Sequence, residues 1–221
     1  MTLDLSVSRQ PASTHIRDRR DRWTTDRILA VGLCVAIVAA LAQIITQVIS
    51  FAAYDDSIGA LNSDVHASIF GIVSLVAMGA AAAAAAVRAR EAANPRPWWL
   101  LVGILTLLLA VRAALPDDPA ALSAPLAIVF VGFWVLTAND APRARTMVRV
   151  ALFVLLFSFV IHVIGPKLVT ELGYGYNTWP YEIKGMLKHS TEIAGWVLVA
   201  AGMLAGSGFA APTRVLRNPR S

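Results

Sequence analysis

Six long apolar segments run through the chain, at about residues 28–52, 66–87, 98–115, 122–138, 147–165 and 186–208. A helix rises 1.5 Å per residue and the hydrocarbon core of a bilayer is about 30 Å thick, so each segment can cross it or nearly so. In lipid the backbone must satisfy its own N–H and C=O groups, which only helices and closed barrels do. The runs are continuous rather than alternating, which argues against barrel strands. With 57% hydrophobic and 15% charged residues, the composition leaves too little charge to cover a soluble domain of 221 residues. The expectation is an all-α fold: an integral membrane bundle of six transmembrane helices with both termini on the cytoplasmic side.

Three regions follow from this reading. Residues 1–27 form a polar cytoplasmic tail, read as disordered. Residues 28–208 form the six-helix domain, and residues 209–221 a second cytoplasmic tail. Arg19 and Arg20 make a twin-Arg pair, but Asp18 and Asp21 flank it. The apolar run that follows is too long for a signal-peptide core, so it reads as a retained first helix.

Loop charge sets the orientation. Arg9, Arg17, Arg19, Arg20, Arg22 and Arg27 precede the first segment, and Arg88, Arg90 and Arg96 follow the second. Arg143, Arg145 and Arg149 follow the fourth, and Arg214, Arg217 and Arg220 the sixth. These fifteen face one side. Arg112, Lys167, Lys184 and Lys188 face the other, making up the 19 basic residues. The positive-inside rule therefore places both termini in the cytoplasm. The opposite loops carry Asp55, Asp56 and Asp64, then Asp117 and Asp118, and then the long Tyr-, Gly- and Trp-rich stretch Gly165–Gly185. Trp23, Trp98, Trp99 and Trp179 fall at the two interfaces. The net charge of +5 is spread along membrane flanks, so it points to a lipid bilayer as partner and away from nucleic acid. Abundant Ala, and Arg in place of Lys, read as a GC-rich bacterial genome and hence a bacterial inner membrane.

Polar groups inside a membrane are costly, so their positions are informative. Gln43, Gln47 and Ser50 share one face of the first segment at i, i+4, i+7 spacing. His66 stands at the outer mouth of the second, and Arg112 near the outer end of the third. Ser158 and His162 are i, i+4 in the fifth. Lys188, His189 and Glu192 occupy neighbouring positions at the start of the sixth. The run Ala80–Ala86 and the fourth segment carry almost nothing polar, and the fourth reads as a peripheral helix. Cys34, the single cysteine, reads as a small packing residue. Gly202 and Gly206 form a GxxxG pattern that permits close helix contact, and small-residue faces could also join copies or partners.

These residues admit several chemistries. The plainest is structural: groups near an interface reach water by snorkelling, and the glutamines bond across helices. A second is a polar pocket open to the outside, centred on Gln43, Gln47, His66, Arg112, Ser158, His162, Lys188, His189 and Glu192, that takes a small ligand or ion. A carboxylate beside histidine and basic groups suits a protonation switch. A third is a metal-dependent enzyme or electron carrier, with zinc held by His66, His162, His189 and Glu192, or a haem held by two of the histidines. No Gly-rich phosphate loop, C-x-x-C pair or acidic Ca²⁺ loop is present. The functional expectation is a non-enzymatic membrane protein with the outward pocket, and the metal or haem protein is the alternative.

Two stretches carry a resemblance. Leu61-Asn-Ser-Asp-Val-His66-Ala-Ser-Ile-Phe-Gly leads into an Ala-rich segment, and Lys188-His189-Ser-Thr-Glu192-Ile-Ala-Gly-Trp opens the last one. Together they resemble uncharacterised bacterial multipass membrane proteins, in which an E-x-x-E-x-x-G-like pattern opens the final helix. Here His189 stands at the earlier Glu position, while Glu192 and Gly195 fit. The resemblance implies a bundle of six or seven helices and no known activity.

Overall fold

The computed structural model describes residues 13–54, 68–91, 95–113, 119–175 and 178–207. All regular structure among them is helical, in six elements: α1 (Ser13–Tyr54), α2 (Ile69–Glu91), α3 (Arg96–Ala113), α4 (Pro119–Leu136), α5 (Pro142–Glu171) and α6 (Trp179–Ala205). Three helical stretches are long and apolar enough to cross a membrane: Thr24–Ala53, Ile69–Glu91 and Pro142–Glu171. Shorter apolar stretches lie at Arg96–Val111 and Ser123–Leu136. α6 is of similar length, but its first half carries Glu182, Lys184, Lys188, His189 and Glu192.

The last helix is the centre of the bundle. α6 packs against α1, α5 and α2, while α3 lies behind α2, and α4 rests on α3 and more lightly on α5. The small residues of α6 explain why three helices fit round it. A Cβ on Gly195 would stand 2.5 Å from the Leu155 side chain, and one on Gly202 would stand 2.6 Å from Val148 and 3.2 Å from the Ala144 carbonyl. On another side, Gly32 of α1 meets Ala201 just as closely. Close backbone approach gains dispersion contacts along these seams. Of the GxxxG pair, Gly202 makes a helix contact, whereas Gly206 is the C-cap of α6 and abuts Asp140.

Away from this core, α1 turns Val31, Leu33, Val38 and Ile45 to the outside of the protein. Cys34 is also exposed, so it does not fill a gap in the core as its size suggests. α4 buries Val129 and Phe133 and exposes Val131 and Val135, as a peripheral helix should. Between α2 and α3 runs an apolar groove of about 290 Å³, lined by Gly79, Ala82, Ala83, Trp99, Gly103 and Leu107. Its lining offers a polar ligand nothing to bond.

Three places are more helical, or more tightly tied, than their composition indicates. α1 starts at Ser13, inside the segment read as a disordered tail. The sequence there spaces Arg17 and Asp21, Asp18 and Arg22, and Arg22 and Asp26 four apart, a pattern of opposite charges that favours a helix without an apolar face. Further along, Asp26 accepts both hydrogen bonds from Arg143 of α5, at 2.7 and 2.6 Å. The stretch Gly165–Gly185, read as a long loop, is mostly helical, because α5 continues through Pro166 to Glu171 and α6 begins at Trp179. Gly173, at φ 82°, turns the chain out of α5.

Arg88 is the third. By its place in sequence it reads as an orientation charge facing lipid headgroups. Instead its side chain is 13% exposed and ties four elements together. It donates to the Gly206 carbonyl at the end of α6 and to the Asp140 carboxylate in the α4–α5 turn, and its guanidinium lies 5.0 Å from the centre of the Trp99 ring on α3. Burial pushes the Asp140 carboxyl above its ordinary range. The charge and hydrogen bond of Arg88 oppose that shift, and the charge of Glu91 adds to it.

Candidate functional site

The polar face of α1 is turned wholly inward. Gln43, Gln47 and Ser50 are each at most 1% exposed, as their shared spacing requires once α1 packs on α6. Gln47 Nε2 donates to Glu182 Oε2 at 2.7 Å. Glu182 is 5% exposed and faces the seam between the two helices. Hydropathy does not single it out, because the apolar segment begins four residues after it. The signal that could have found it is Thr178-Trp179-Pro180: a Thr in extended conformation followed by Pro in the first helical turn marks a helix start. Starting α6 there puts Glu182 in its first turn.

Ten residues further along α6, Glu192 turns towards α2. Its Oε1 accepts a hydrogen bond from the Ser74 hydroxyl at 2.9 Å. Its Oε2 stands 4.0 Å from Lys188 Nζ and 3.9 Å from His189 Nδ1, on the preceding turn of its own helix. His162 of α5 is also within electrostatic reach of this carboxylate. Ser158, one turn before His162, donates to the Lys188 carbonyl at 2.8 Å and so pins α5 to this level of α6. About one fifth of the Glu192 side chain is exposed, so the group is neither sealed nor open.

Of the residues picked from sequence, Ser158, His162, Lys188, His189 and Glu192 thus gather around one carboxylate, and Ser74 joins them. Gln47 belongs instead to the Glu182 contact nearer the start of α6. Gln43 is fully buried, and neither its Oε1 nor its Nε2 has a hydrogen-bond partner among the described residues. His66 lies outside the described residues, as does the side chain of Arg112. Among the described residues no three His, Cys, Asp or Glu side chains stand close enough together to hold a metal ion.

The two acidic contacts differ in chemistry. Glu182 accepts from the Gln47 amide, and Glu192 has a hydroxyl donor and three basic side chains around it. A carboxylate so surrounded can exchange a proton with histidine, or bind a cation in competition with Lys188. The chain matches no protein-family model, and neither the curated proteins nor the solved structures include a significant match to it.

Proposed function

We propose that the chain is a non-enzymatic, multipass protein of a bacterial inner membrane, with six spans and both termini cytoplasmic, whose outer half holds a polar pocket that takes a small ligand or ion from outside. The observation that carries this reading is the direction of Glu192. It bonds across to Ser74 of a neighbouring helix rather than pairing only with Lys188 beside it, and basic groups from two helices surround it. A purely structural carboxylate in lipid is expected to be closed by short bonds, but the basic groups on its own helix stand 3.9 to 4.0 Å away.

The six-span topology rests on charge. Fifteen basic residues fall on one side of the six segments and four on the other. At 18 residues each, α3 and α4 reach about 27 Å, close to the hydrocarbon thickness. A reporter fused after Ser221 reads as cytoplasmic in this topology, and a periplasmic signal sinks it.

Access to the pocket is tested by thiol labelling. In a Cys34→Ser background, a Lys188→Cys variant in intact cells reacts with a membrane-impermeant maleimide added outside. A residue facing lipid, or sealed inside the bundle, stays unlabelled, and that result removes the pocket.

A further inference from the structure

The apolar groove between α2 and α3 has a length and a place that narrow what can fill it. Its α2 wall runs from Gly79 to Ala86 and its α3 wall from Trp99 to Leu107, about 10 and 12 Å along the helix axes. Half the hydrocarbon core of a bilayer is about 15 Å deep, so the groove belongs to one leaflet. Spread over about 12 Å, 290 Å³ makes a channel about 5–6 Å wide, half the 10–12 Å diameter of a helix with its side chains. Past the groove the surface fills up. Val76, one turn before Gly79, is 67% exposed, and Leu108 is 57% exposed. A neighbouring helix would ride on these two side chains, whereas a single hydrocarbon chain lies between the walls.

The groove is built into the packing. A Cβ on Gly79 would meet nothing within 4 Å, so the α2 wall stands open there. Trp99 lines the groove while only 2% exposed, which makes its ring part of the floor. The Arg88 guanidinium lies over that ring and is itself tied to Gly206 and Asp140, so the floor is held in place.

Charge marks one mouth. Arg90 follows Ala86 by four residues and Arg96 precedes Leu100 by four, so each arginine continues the face of one groove wall. Both are exposed. They also stand at one level, because Gly103 of α3 lies against Ala82 and Ala85 of α2, and Arg96 is seven residues from Gly103 just as Arg90 is five to eight from those alanines. Trp98, 63% exposed beside Arg96, suits the headgroup region of a bilayer. α3 starts at Arg96, so the positive end of its helix dipole adds to the field there. Glu91 is also at this end of α2, near enough to Asp140 for its charge to act on that carboxyl.

We propose that the α2–α3 groove holds one acyl chain of an anionic phospholipid whose phosphate is bound by Arg90 and Arg96. The hydrocarbon part supplies shape and dispersion contact but no preference among lipids, since every tail is equally apolar. Preference comes from the two guanidinium groups, which bond a phosphate by charge-assisted hydrogen bonds and favour a headgroup that carries net negative charge. The site requires the chain to lie in a bilayer and is independent of the pocket at Glu192.

The test is native mass spectrometry of the full chain released from nanodiscs that contain equal amounts of phosphatidylglycerol and phosphatidylcholine with identical acyl chains. The wild type is expected to retain one phosphatidylglycerol per chain, at least fivefold in preference to phosphatidylcholine. Gly79→Leu, which projects into the open groove and alters no charge, is expected to lower retention of either lipid at least fivefold. Arg90→Gln with Arg96→Gln, two exposed positions that leave the packing intact, is expected to bring the two lipids to equal retention. Thermal unfolding of each variant shows that it is folded. Undiminished retention in Gly79→Leu would mean general attraction to a basic surface and overturns the groove site. An undiminished preference in the double Arg variant overturns the phosphate contact and with it the proposal. A wild type that dimerises without lipid, and becomes monomeric in Gly79→Leu, makes the groove a contact between copies and equally overturns it.

Discussion

Two levels of the bundle bury charge in opposite ways. At the Arg-rich end, one guanidinium meets a carboxylate, a helix-terminal carbonyl and an indole, and its neighbour Asp140 is 7% exposed. Halfway along α6, Glu192 has one short bond, two basic groups near 4 Å and a partly exposed side chain. Arg88 fastens several elements; Glu192 is held by fewer and longer contacts. The contrast separates two ways of placing charge inside a helical bundle. A group bonded to several elements fixes geometry, while a group with longer, competing contacts leaves room for a proton or an ion to compete.

Breaking the fastened end should have the largest effect. Arg88→Ala strands the Asp140 carboxylate and leaves the end of α6 without its donor, and the expected loss is about 3–5 kcal/mol of stability. Thermal or denaturant unfolding in detergent measures it, and a loss below about 1 kcal/mol would make Arg88 an ordinary flanking charge. Gly202→Val comes next, because its side chain meets Val148 and the backbone of α5; overpacking of this kind costs about 1–3 kcal/mol. Gly79→Ala is the matched control. A Cβ there meets nothing within 4 Å, and the helix gains about 0.5–1 kcal/mol.

The pH dependence sharpens the comparison further. Burial raises the Asp140 pKa above the ordinary 3.8, so the folded chain holds that proton more tightly than the unfolded one. Its contribution to stability is therefore greatest at low pH, and is lost as pH rises from that value through the raised one. Asp140→Asn should flatten this part of a stability-against-pH curve, and an unchanged slope would mean that Arg88 outweighs burial. The smallest effect belongs to the loose end. Ser74→Ala should cost only about 0.6 kcal/mol, the usual size of a side-chain hydrogen bond between membrane helices. A loss several times larger would show that Glu192 is also a fastening and would erase the distinction.

Hydropathy made the helices legible, since each of the six apolar segments lies largely within one of α1 to α6. It could not mark helix ends made of polar residues. The Arg/Asp run after Ser13 is charged and the Thr178–Gly185 stretch mixes Glu182 and Lys184 with Trp179 and Ile183, so charge spacing and the Thr-x-Pro start mark them better than hydropathy does. The inward face of Gln43, Gln47 and Ser50 was readable because 3.6-residue periodicity holds whatever the neighbours are. Its partner Glu182 was not, because pairing across 135 residues depends on the antiparallel packing of the first helix on the last. Arg88 shows the same limit from the other side. Its place in sequence is that of a flanking charge, and its burial follows from the arrival of Gly206 and Asp140, 118 and 52 residues later.

The central position of α6 also sets an order of assembly. Synthesis runs from α1 to α6, so α1, α2 and α5 are made before the helix they pack round exists. Until α6 arrives, the polar face of α1 lacks Glu182, the surface of α5 that fits the α6 glycines lacks its partner, and Arg88 has no helix end to hold. Those early helices must wait with these surfaces uncovered. The segment from Trp179 onward then closes most of the interior in one step. A chain shortened before Trp179 should thus be cleared as an unassembled set of helices.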